Sequence, residues 1–304
     1  MAKRAVLVTM LVVGLAGVMP PGQAAGGAAD GASGPSGPVV YAHRGGALEG
    51  PENTLGAFRQ TISRYGPDVW LELDTQLAAD GVLVVIHDHT LDRTTDCDGP
   101  VKARTSVELS ECNAAAGWNA SHPDDQRRFE PVPTLASVLT HPALASARFM
   151  VELKNIPGEG NFDPTGEAAA VALVRLVVRT GVDPSRILVQ SFFPTSLDQV
   201  ELRAPGIRTA LLTTSQLPGA PPGAGFLLTE NALYSTARGY EVSAPDHATP
   251  DMGAGAVAGA HALGRDVVVW TVDTPERALE LVGFGVDGII TNAPGALLEA
   301  LSPS

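Results

Sequence analysis

Basic residues are scarce in this sequence of 304 residues, where 20 Lys and Arg stand against 33 Asp and Glu for a formal net charge of −13. Nucleic acids and anionic membrane surfaces are bound mainly through clustered positive charge. The shortage of cations therefore argues against both kinds of partner. An anionic small molecule would need a local positive site, and nothing in the sequence implies a protein partner.

Two common motif classes are absent. The glycines that follow the first strand-like run, Gly45, Gly46 and Gly50, form neither a Walker loop nor a dinucleotide-binding fingerprint. A nucleophile elbow of the Gly-x-Ser-x-Gly type is also missing. We therefore expect neither nucleotide binding nor Ser/His/Asp hydrolysis.

Cysteine is nearly absent, and the two present, Cys97 and Cys112, fall in one irregular segment. In an exported chain, a disulfide that closes this loop is the leading interpretation. The alternative is a metal site or a catalytic thiol. No further cysteine and no local histidine spacing supports that alternative.

Long apolar runs are limited to Ala5–Met19, which follows the basic residues Lys3 and Arg4. The run is too short for a comfortable membrane span, and small residues follow it directly. We therefore predict a signal peptide over residues 1–24, then a flexible lead-in rich in Gly, Ala, Ser and Pro over residues 25–38. The expected location is extracellular, without a stable membrane anchor.

The remaining chain, residues 39–301, alternates short β-branched runs with amphipathic stretches. The predicted strands are Val39–His43, Val69–Gln76, Phe149–Lys154, Ile187–Phe192, Arg208–Thr213, Tyr240–Ala244, Val267–Val272 and Asp287–Thr291. The predicted helices are Asn53–Tyr65, Thr165–Thr180, Thr195–Arg203 and Pro275–Phe284. Eight strands alternating with helices predict an α/β fold, a (β/α)8 TIM barrel with its catalytic residues at the carboxyl ends of the strands.

One segment breaks the alternation after the second barrel strand. The turn signal Asp80-Gly81 predicts a hairpin between Leu73–Ala78 and an antiparallel return strand, Val82–His87. An insertion with little periodicity follows, over about residues 89–133. Long irregular insertions in compact domains commonly serve as lids or carry function.

Acidic residues alternate on two predicted strands. Glu72 and Asp74 share one face of the second strand, and Glu152 and Lys154 repeat the spacing on the next barrel strand. Buried carboxylates are costly without a cation, and oxygen ligands favour Mg²⁺ or Ca²⁺ over Zn²⁺. We predict a divalent metal held by the three acids, with Lys154 contacting a phosphate oxygen. The alternative is an exposed pair of acids at a strand end.

Two histidines at strand ends, His43 and His87, have the chemistry of a general acid/base pair. Asp88 can orient or charge the ring of His87. Arg44 is a candidate phosphate clamp, with a salt bridge to a neighbouring acid as the alternative. Trp270 is a candidate wall of the substrate pocket, with a role in the core as the alternative.

The order and spacing of these motifs resemble the glycerophosphodiester phosphodiesterase family from about Val39 to Leu298. The motifs are His43-Arg44-Gly45, Pro51-Glu52-Asn53-Thr54, Glu72-Leu73-Asp74, Asp80-Gly81, His87-Asp88, Leu91-Asp92-Arg93-Thr94-Thr95, Val132-Pro133-Thr134-Leu135, Glu152-Leu153-Lys154, Gln190-Ser191-Phe192, Trp270-Thr271-Val272 and Asp287-Gly288-Ile289-Ile290-Thr291-Asn292.

The resemblance implies the same barrel and metal-dependent hydrolysis of a glycerophosphodiester to glycerol 3-phosphate and an alcohol. It implies the same roles for the residues: metal ligation by Glu72, Asp74 and Glu152, acid/base catalysis by His43 and His87, and phosphate binding by Arg44 and Lys154. The family usually carries aspartate where Asn292 stands, and we expect this change to leave the core chemistry untouched.

Two rival functions stay open at this stage. A phospholipase D acting on lysophospholipid or sphingomyelin uses a related barrel, and the region around Trp118 and Phe129 is the candidate for its lipid-contacting lip. The intact motifs around His87 and Glu152 favour the glycerophosphodiesterase. An inactive phosphoester-binding barrel is the second rival, although no predicted catalytic residue is missing.

Overall fold

The computed structural model describes residues 37–215 and 227–302. The predicted signal peptide and residues 25–36 of the lead-in lie outside the described residues. The strands are β1 Val39–Ala42, β2 Trp70–Leu77, β3 Leu83–Val85, β4 Phe149–Leu153, β5 Ile187–Ser191, β6 Arg208–Thr213, β7 Val242–Pro245, β8 Asp266–Val269 and β9 Gly288–Thr291. The helices are α1 Leu55–Tyr65, α2 Ser106–Leu109, α3 Ala116–Ser121, α4 Leu135–Leu139, α5 Glu167–Thr180, α6 Pro194–Arg203, α7 Leu228–Arg238, α8 Ala254–Ala262, α9 Pro275–Phe284 and α10 Pro294–Leu301.

Eight parallel strands close into a barrel in the order β1, β2, β4, β5, β6, β7, β8 and β9. β1 closes it by pairing with both ends of the series, so that Tyr41 lies opposite Trp70 on β2 and Ile290 on β9. The predicted (β/α)8 barrel is confirmed. Over the described ranges, no helix is long and apolar enough to cross a membrane.

The hairpin after β2 also matches the prediction. β3 pairs antiparallel with β2, placing Val85 opposite Thr75. β3 therefore extends the sheet beside β2 and is not a ninth strand of the closed barrel.

Four barrel strands end earlier than predicted: β4 and β5 stop one residue short, at Leu153 and Ser191, and β1 and β8 stop where the site begins. β1 stops at Ala42, and His43 opens a 3₁₀ turn in which the His43 carbonyl accepts from the Gly46 amide. Arg44 has a φ of 54°, which ends the extended backbone. β8 stops at Val269, so Trp270 lies just beyond the strand. In both places, apolar or aromatic residues extended the strand-like pattern into the loop.

The insertion between β3 and β4 has a small core of its own, which the weak periodicity of its sequence did not reveal. Leu91, Leu109 and Val132 are fully buried there and pack with Cys112. Cys112 forms a disulfide with Cys97, as the sequence predicted. The insertion is therefore a packed unit attached to the barrel.

We expect loss of this disulfide to destabilise the protein measurably. A cross-link spanning 15 residues stabilises a protein by about 3 kcal/mol, largely by restricting the unfolded chain. The C97S/C112S variant should show a lower urea midpoint than the wild type, and reduced wild type should match the variant. Equal midpoints for oxidised wild type and variant would show that the disulfide contributes nothing to stability.

Candidate active site

Three buried carboxylates meet on two neighbouring strands, in the middle of β2 and near the carboxyl end of β4. Glu72 and Asp74 lie on one face of β2, and the register of the sheet sets Asp74 opposite Glu152 on β4. One oxygen from each of the three lies within 4.8 Å of the others. The residues predicted as metal ligands are therefore brought together.

Two cations lie inside this acidic cluster. Lys154 Nζ is 3.0 Å from Glu152 Oε1 and 3.4 Å from Asp74 Oδ1, and Arg44 Nε is 3.2 Å from Asp74 Oδ2. Burial alone would raise the pKa of Asp74, but Lys154 and Arg44 hold it well below its usual range. Burial and the neighbouring carboxylates raise the pKa of Glu72 well above its usual range. Burial also raises the pKa of Glu152 to about 7, against the opposing effect of Lys154.

The donor set fits a hard divalent cation. Asp74 Oδ1 and Glu152 Oε1 are buried and form ion pairs with Lys154 that lack good hydrogen-bond geometry. Buried oxygens without a hydrogen bond are rare in folded proteins and commonly mark a bound ion or water. Three carboxylates within reach of one point are the ligand type that Mg²⁺ and Ca²⁺ prefer. These acids would hold such an ion.

Two amide side chains, to which the sequence patterns assigned no role, position the acids. Gln190 Nε2 on β5 donates to Glu72 Oε1 at 2.8 Å. Asn53 Nδ2 donates to Asp74 Oδ2 at 2.9 Å, and the Asp74 amide donates back to Asn53 Oδ1. Gln190 offered a signal in the sequence, since it is a polar residue in an otherwise apolar predicted strand, and the structure sets it opposite Glu152. Asn53 stands in a motif of the family resemblance but was given no role there, and its backbone has a positive φ of 58°.

His43 stands beside the acids. Its Nε2 lies 3.9 Å from Glu72 Oε2, and its Nδ1 lies 2.7 Å from Asn292 Oδ1. Burial, followed by the charge of Arg44, lowers the pKa of His43 to about 4. Asn292 contacts the imidazole directly, because β9 closes onto β1 and sets this amide against it.

His87 is held by a chain of charges. Its Nδ1 lies 2.6 Å from Asp88 Oδ1, and Asp88 Oδ2 accepts from Arg93 Nε at 2.6 Å. Arg93 also forms a two-pronged pair with Glu52, and Glu52 accepts from Arg44 NH1 at 3.1 Å. The network ties the insertion to the acid cluster. Arg44 thus makes the ion pairs that its alternative interpretation predicted.

Comparison with known proteins identifies the family. The sequence profile of the Glycerophosphoryl diester phosphodiesterase family matches residues 43–296. The chain belongs to this family of enzymes. A glycerophosphodiester phosphodiesterase from Caldanaerobacter subterraneus subsp. tengcongensis is 31% identical over 261 residues, covering 86% of this chain and 96% of that protein. A glycerophosphodiester phosphodiesterase from Bacillus subtilis is 28% identical over 262 residues, covering 84% of each protein.

Solved structures show the same barrel. A structure from Silicibacter pomeroyi, assigned as a glycerophosphoryl diester phosphodiesterase, superposes with a TM-score of 0.73 at 28% identity and covers 88% of this chain and 94% of its own. A phosphodiesterase from Oleispira antarctica, in complex with the product sn-glycerol-3-phosphate, superposes with a TM-score of 0.70 at 24% identity. That alignment covers 87% of this chain and 97% of the other.

Trp270 of this phosphodiesterase lies at the end of β8, partly buried. Its Nε1 donates to the Ala244 carbonyl at 2.8 Å, and its ring packs edge-on against Phe192 at 5.4 Å between centroids. These two contacts fix the ring at the same edge of the barrel as the strand ends that carry the acids. The position is compatible with the predicted wall of the substrate pocket.

The ion pairs around Asp88 should make stability depend on acidity. Burial alone would raise the pKa of Asp88, but hydrogen bonds from Arg93 and His87 lower it from 3.8 to about 2. A lowered pKa means that the folded state favours the carboxylate, so its contribution is complete above about pH 4 and is lost as the pH falls to about 2.

The D88N variant lacks this carboxylate. We therefore expect its melting temperature to lie below that of the wild type near neutral pH and to converge with it as the pH falls towards 2. A difference that stays constant across this range would contradict the assigned ion pair.

Proposed function

We propose that this enzyme is a metal-dependent hydrolase that cleaves glycerophosphodiesters to glycerol 3-phosphate and an alcohol, with His43 and His87 as its acid/base pair. The carrying observation is the buried cluster of Glu72, Asp74 and Glu152, with His43 Nε2 3.9 Å from Glu72 and His87 near enough to help lower the pKa of Asp74. The identity to phosphodiesterases named for this substrate supports the same reaction.

Proton transfer is assigned to the Nε2 atoms of the two rings. Each ring has its Nδ1 occupied, in His43 by Asn292 and in His87 by Asp88, so Nε2 is left for the substrate. One histidine takes the proton from the oxygen that attacks phosphorus. If this oxygen belongs to water, the step gives glycerol 3-phosphate directly; if it belongs to the neighbouring hydroxyl of the glycerol, a cyclic phosphate forms first and water then opens it to glycerol 3-phosphate. The other histidine gives a proton to the departing alkoxide as the phosphorus–oxygen bond breaks.

The acid cluster would stabilise charge. A divalent cation held by the three carboxylates would polarise a phosphate oxygen and neutralise negative charge at phosphorus. Arg44 and Lys154 supply additional positive charge at the same place. Lys154 is almost fully buried, with 4% of its side chain exposed, which strengthens its field because water screens it little. Trp270 is proposed to line the substrate pocket.

We also propose that the enzyme acts outside the cell. The basic start and the apolar run of residues 1–24 support export. The Cys97–Cys112 disulfide is consistent with an oxidising compartment. Sequencing the amino terminus of protein collected from the culture medium tests this proposal, and full-length protein found only inside the cell would contradict it.

The substrate assignment is tested by comparing two substrates. The purified protein is incubated with glycerophosphocholine or lysophosphatidylcholine in the presence of Ca²⁺ or Mg²⁺, and glycerol 3-phosphate and choline are assayed. We expect glycerol 3-phosphate from glycerophosphocholine at the higher rate. Choline released only from lysophosphatidylcholine would overturn the proposal in favour of a phospholipase D. Binding without turnover of either substrate would favour the inactive barrel.

A further inference from the structure

We propose that Asp273 acts through Asn292 as a positioning residue for His43. The inference rests on the proposed catalytic role of His43 and extends it by two residues. Asp273 follows β8, Asn292 follows β9 and His43 follows β1, so the three side chains lie on consecutive strand ends. We call this set the Asp–Asn–His relay.

The geometry of the relay is well defined at both joints. Asp273 Oδ1 accepts from the backbone amide of Asn292 at 2.8 Å and lies 3.3 Å from the Thr291 hydroxyl. Asp273 Oδ2 accepts from Asn292 Nδ2 at 2.8 Å. The opposite end of the same amide, Asn292 Oδ1, lies 2.7 Å from His43 Nδ1.

Hydrogen-bond polarity gives the relay its direction. An ionised carboxylate only accepts, so Asp273 requires the amino end of the Asn292 amide to face it. The carbonyl end must then face His43, and a carbonyl oxygen only accepts. The proton of the neutral imidazole must therefore reside on Nδ1. Nε2, which faces Glu72, keeps the lone pair that accepts a proton.

Asp273 therefore affects catalysis through Asn292, without contacting the substrate. In D273N, the oxygen of the new amide stays on the backbone N–H of Asn292, which still needs an acceptor. Its amino group then faces Asn292 Nδ2, and two donors repel. Asn292 turns over, its amino group faces His43, and the imidazole proton moves to Nε2.

A second substitution should restore the direction of the relay. In D273N/N292D, the new amide donates to the new carboxylate. The other oxygen of that carboxylate accepts from His43 Nδ1–H, as Asn292 Oδ1 does in the wild type. The double variant also keeps the net charge of the wild type. A purely structural contribution of Asp273 predicts no such recovery.

The test measures kcat and KM for glycerophosphocholine in the wild type, D273N, D273N/N292D and the control D68N, in which an exposed aspartate just before β2 is changed. The ring nitrogens of His43 are followed by ¹⁵N NMR in the same proteins. We expect D273N to lose about 10-fold or more in kcat, with KM within about twofold and Nε2–H imidazole in the spectrum. The double variant should recover most of the kcat and the Nδ1–H form, and D68N should match the wild type.

Two results would overturn the relay. One is wild-type kcat and Nδ1–H imidazole in D273N, and the other is equal impairment of D273N and the double variant. These outcomes differ from a failure of the proposed function, which would appear as wild-type turnover in H43A.

Discussion

Replacing His43 with alanine is expected to lower kcat by about 10²–10⁴-fold, the usual contribution of a general acid or base. The ring is placed for proton transfer, because Nδ1 is held by Asn292 and Nε2 faces the carboxylate of Glu72. His43 lies in a turn after β1, outside the regular barrel strands, so its loss should leave the melting temperature close to that of the wild type. Turnover of glycerophosphocholine and thermal unfolding measure the two effects.

The matched control is H261A. His261 is an exposed histidine on α8 that pairs with Asp287, just before β9 and away from the carboxyl ends of the strands. The H261A substitution should leave kcat within about twofold of the wild type, because it removes only one exposed ion pair. Full turnover in H43A would remove His43 from the catalytic pair, whereas equal losses in both variants would point to general damage.

Replacing Glu72 with glutamine is expected to abolish the response of the protein to divalent metal. Glu72 is buried among acids, and its pKa is raised well above its usual range by burial and by Asp74 and Glu152. Glutamine imitates the neutral acid, and Gln190 can turn its amide over to keep the hydrogen bond, because its own Oε1 has no partner. The metal-free variant should therefore unfold at or above the wild-type temperature.

The metal titration separates the two proteins. A ligand at about 100 times its Kd stabilises a folded protein by about 2.7 kcal/mol, so Ca²⁺ or Mg²⁺ should raise the melting temperature of the wild type. The E72Q variant should show no rise and should lose about 100-fold or more in kcat. E111Q, which changes an exposed glutamate in the insertion, should behave as the wild type. A wild-type metal shift in E72Q would contradict ligation by Glu72.

Strand periodicity carried most of what the sequence revealed about the site. Alternation on β2 put Glu72 and Asp74 on one face, and the same spacing around Glu152 indicated a second acidic strand. The barrel then followed from eight alternating units. Each of these inferences depends on residues close together on one strand or on neighbouring strands. Such relations leave a regular spacing in the sequence.

Contacts between distant segments could not be predicted in this way. Asn292 and His43 are 249 positions apart and meet because the last barrel strand pairs with the first. Arg93 reaches Glu52 across 41 positions because this part of the insertion packs against the loop between β1 and α1. The sequence motifs placed Asn292 and Arg93 near the site. Their contacts with His43 and Glu52 depend on the closure of the barrel and on the geometry of the loops.

The proposed metal-dependent hydrolysis is tested most directly with wild-type protein treated with EDTA. The release of glycerol 3-phosphate from glycerophosphocholine is measured before and after Ca²⁺ or Mg²⁺ is returned. We expect negligible release after EDTA and recovery with at least one of the two ions. Undiminished release in EDTA would contradict a metal held by Glu72, Asp74 and Glu152. Absence of release under every condition would contradict the proposed reaction itself.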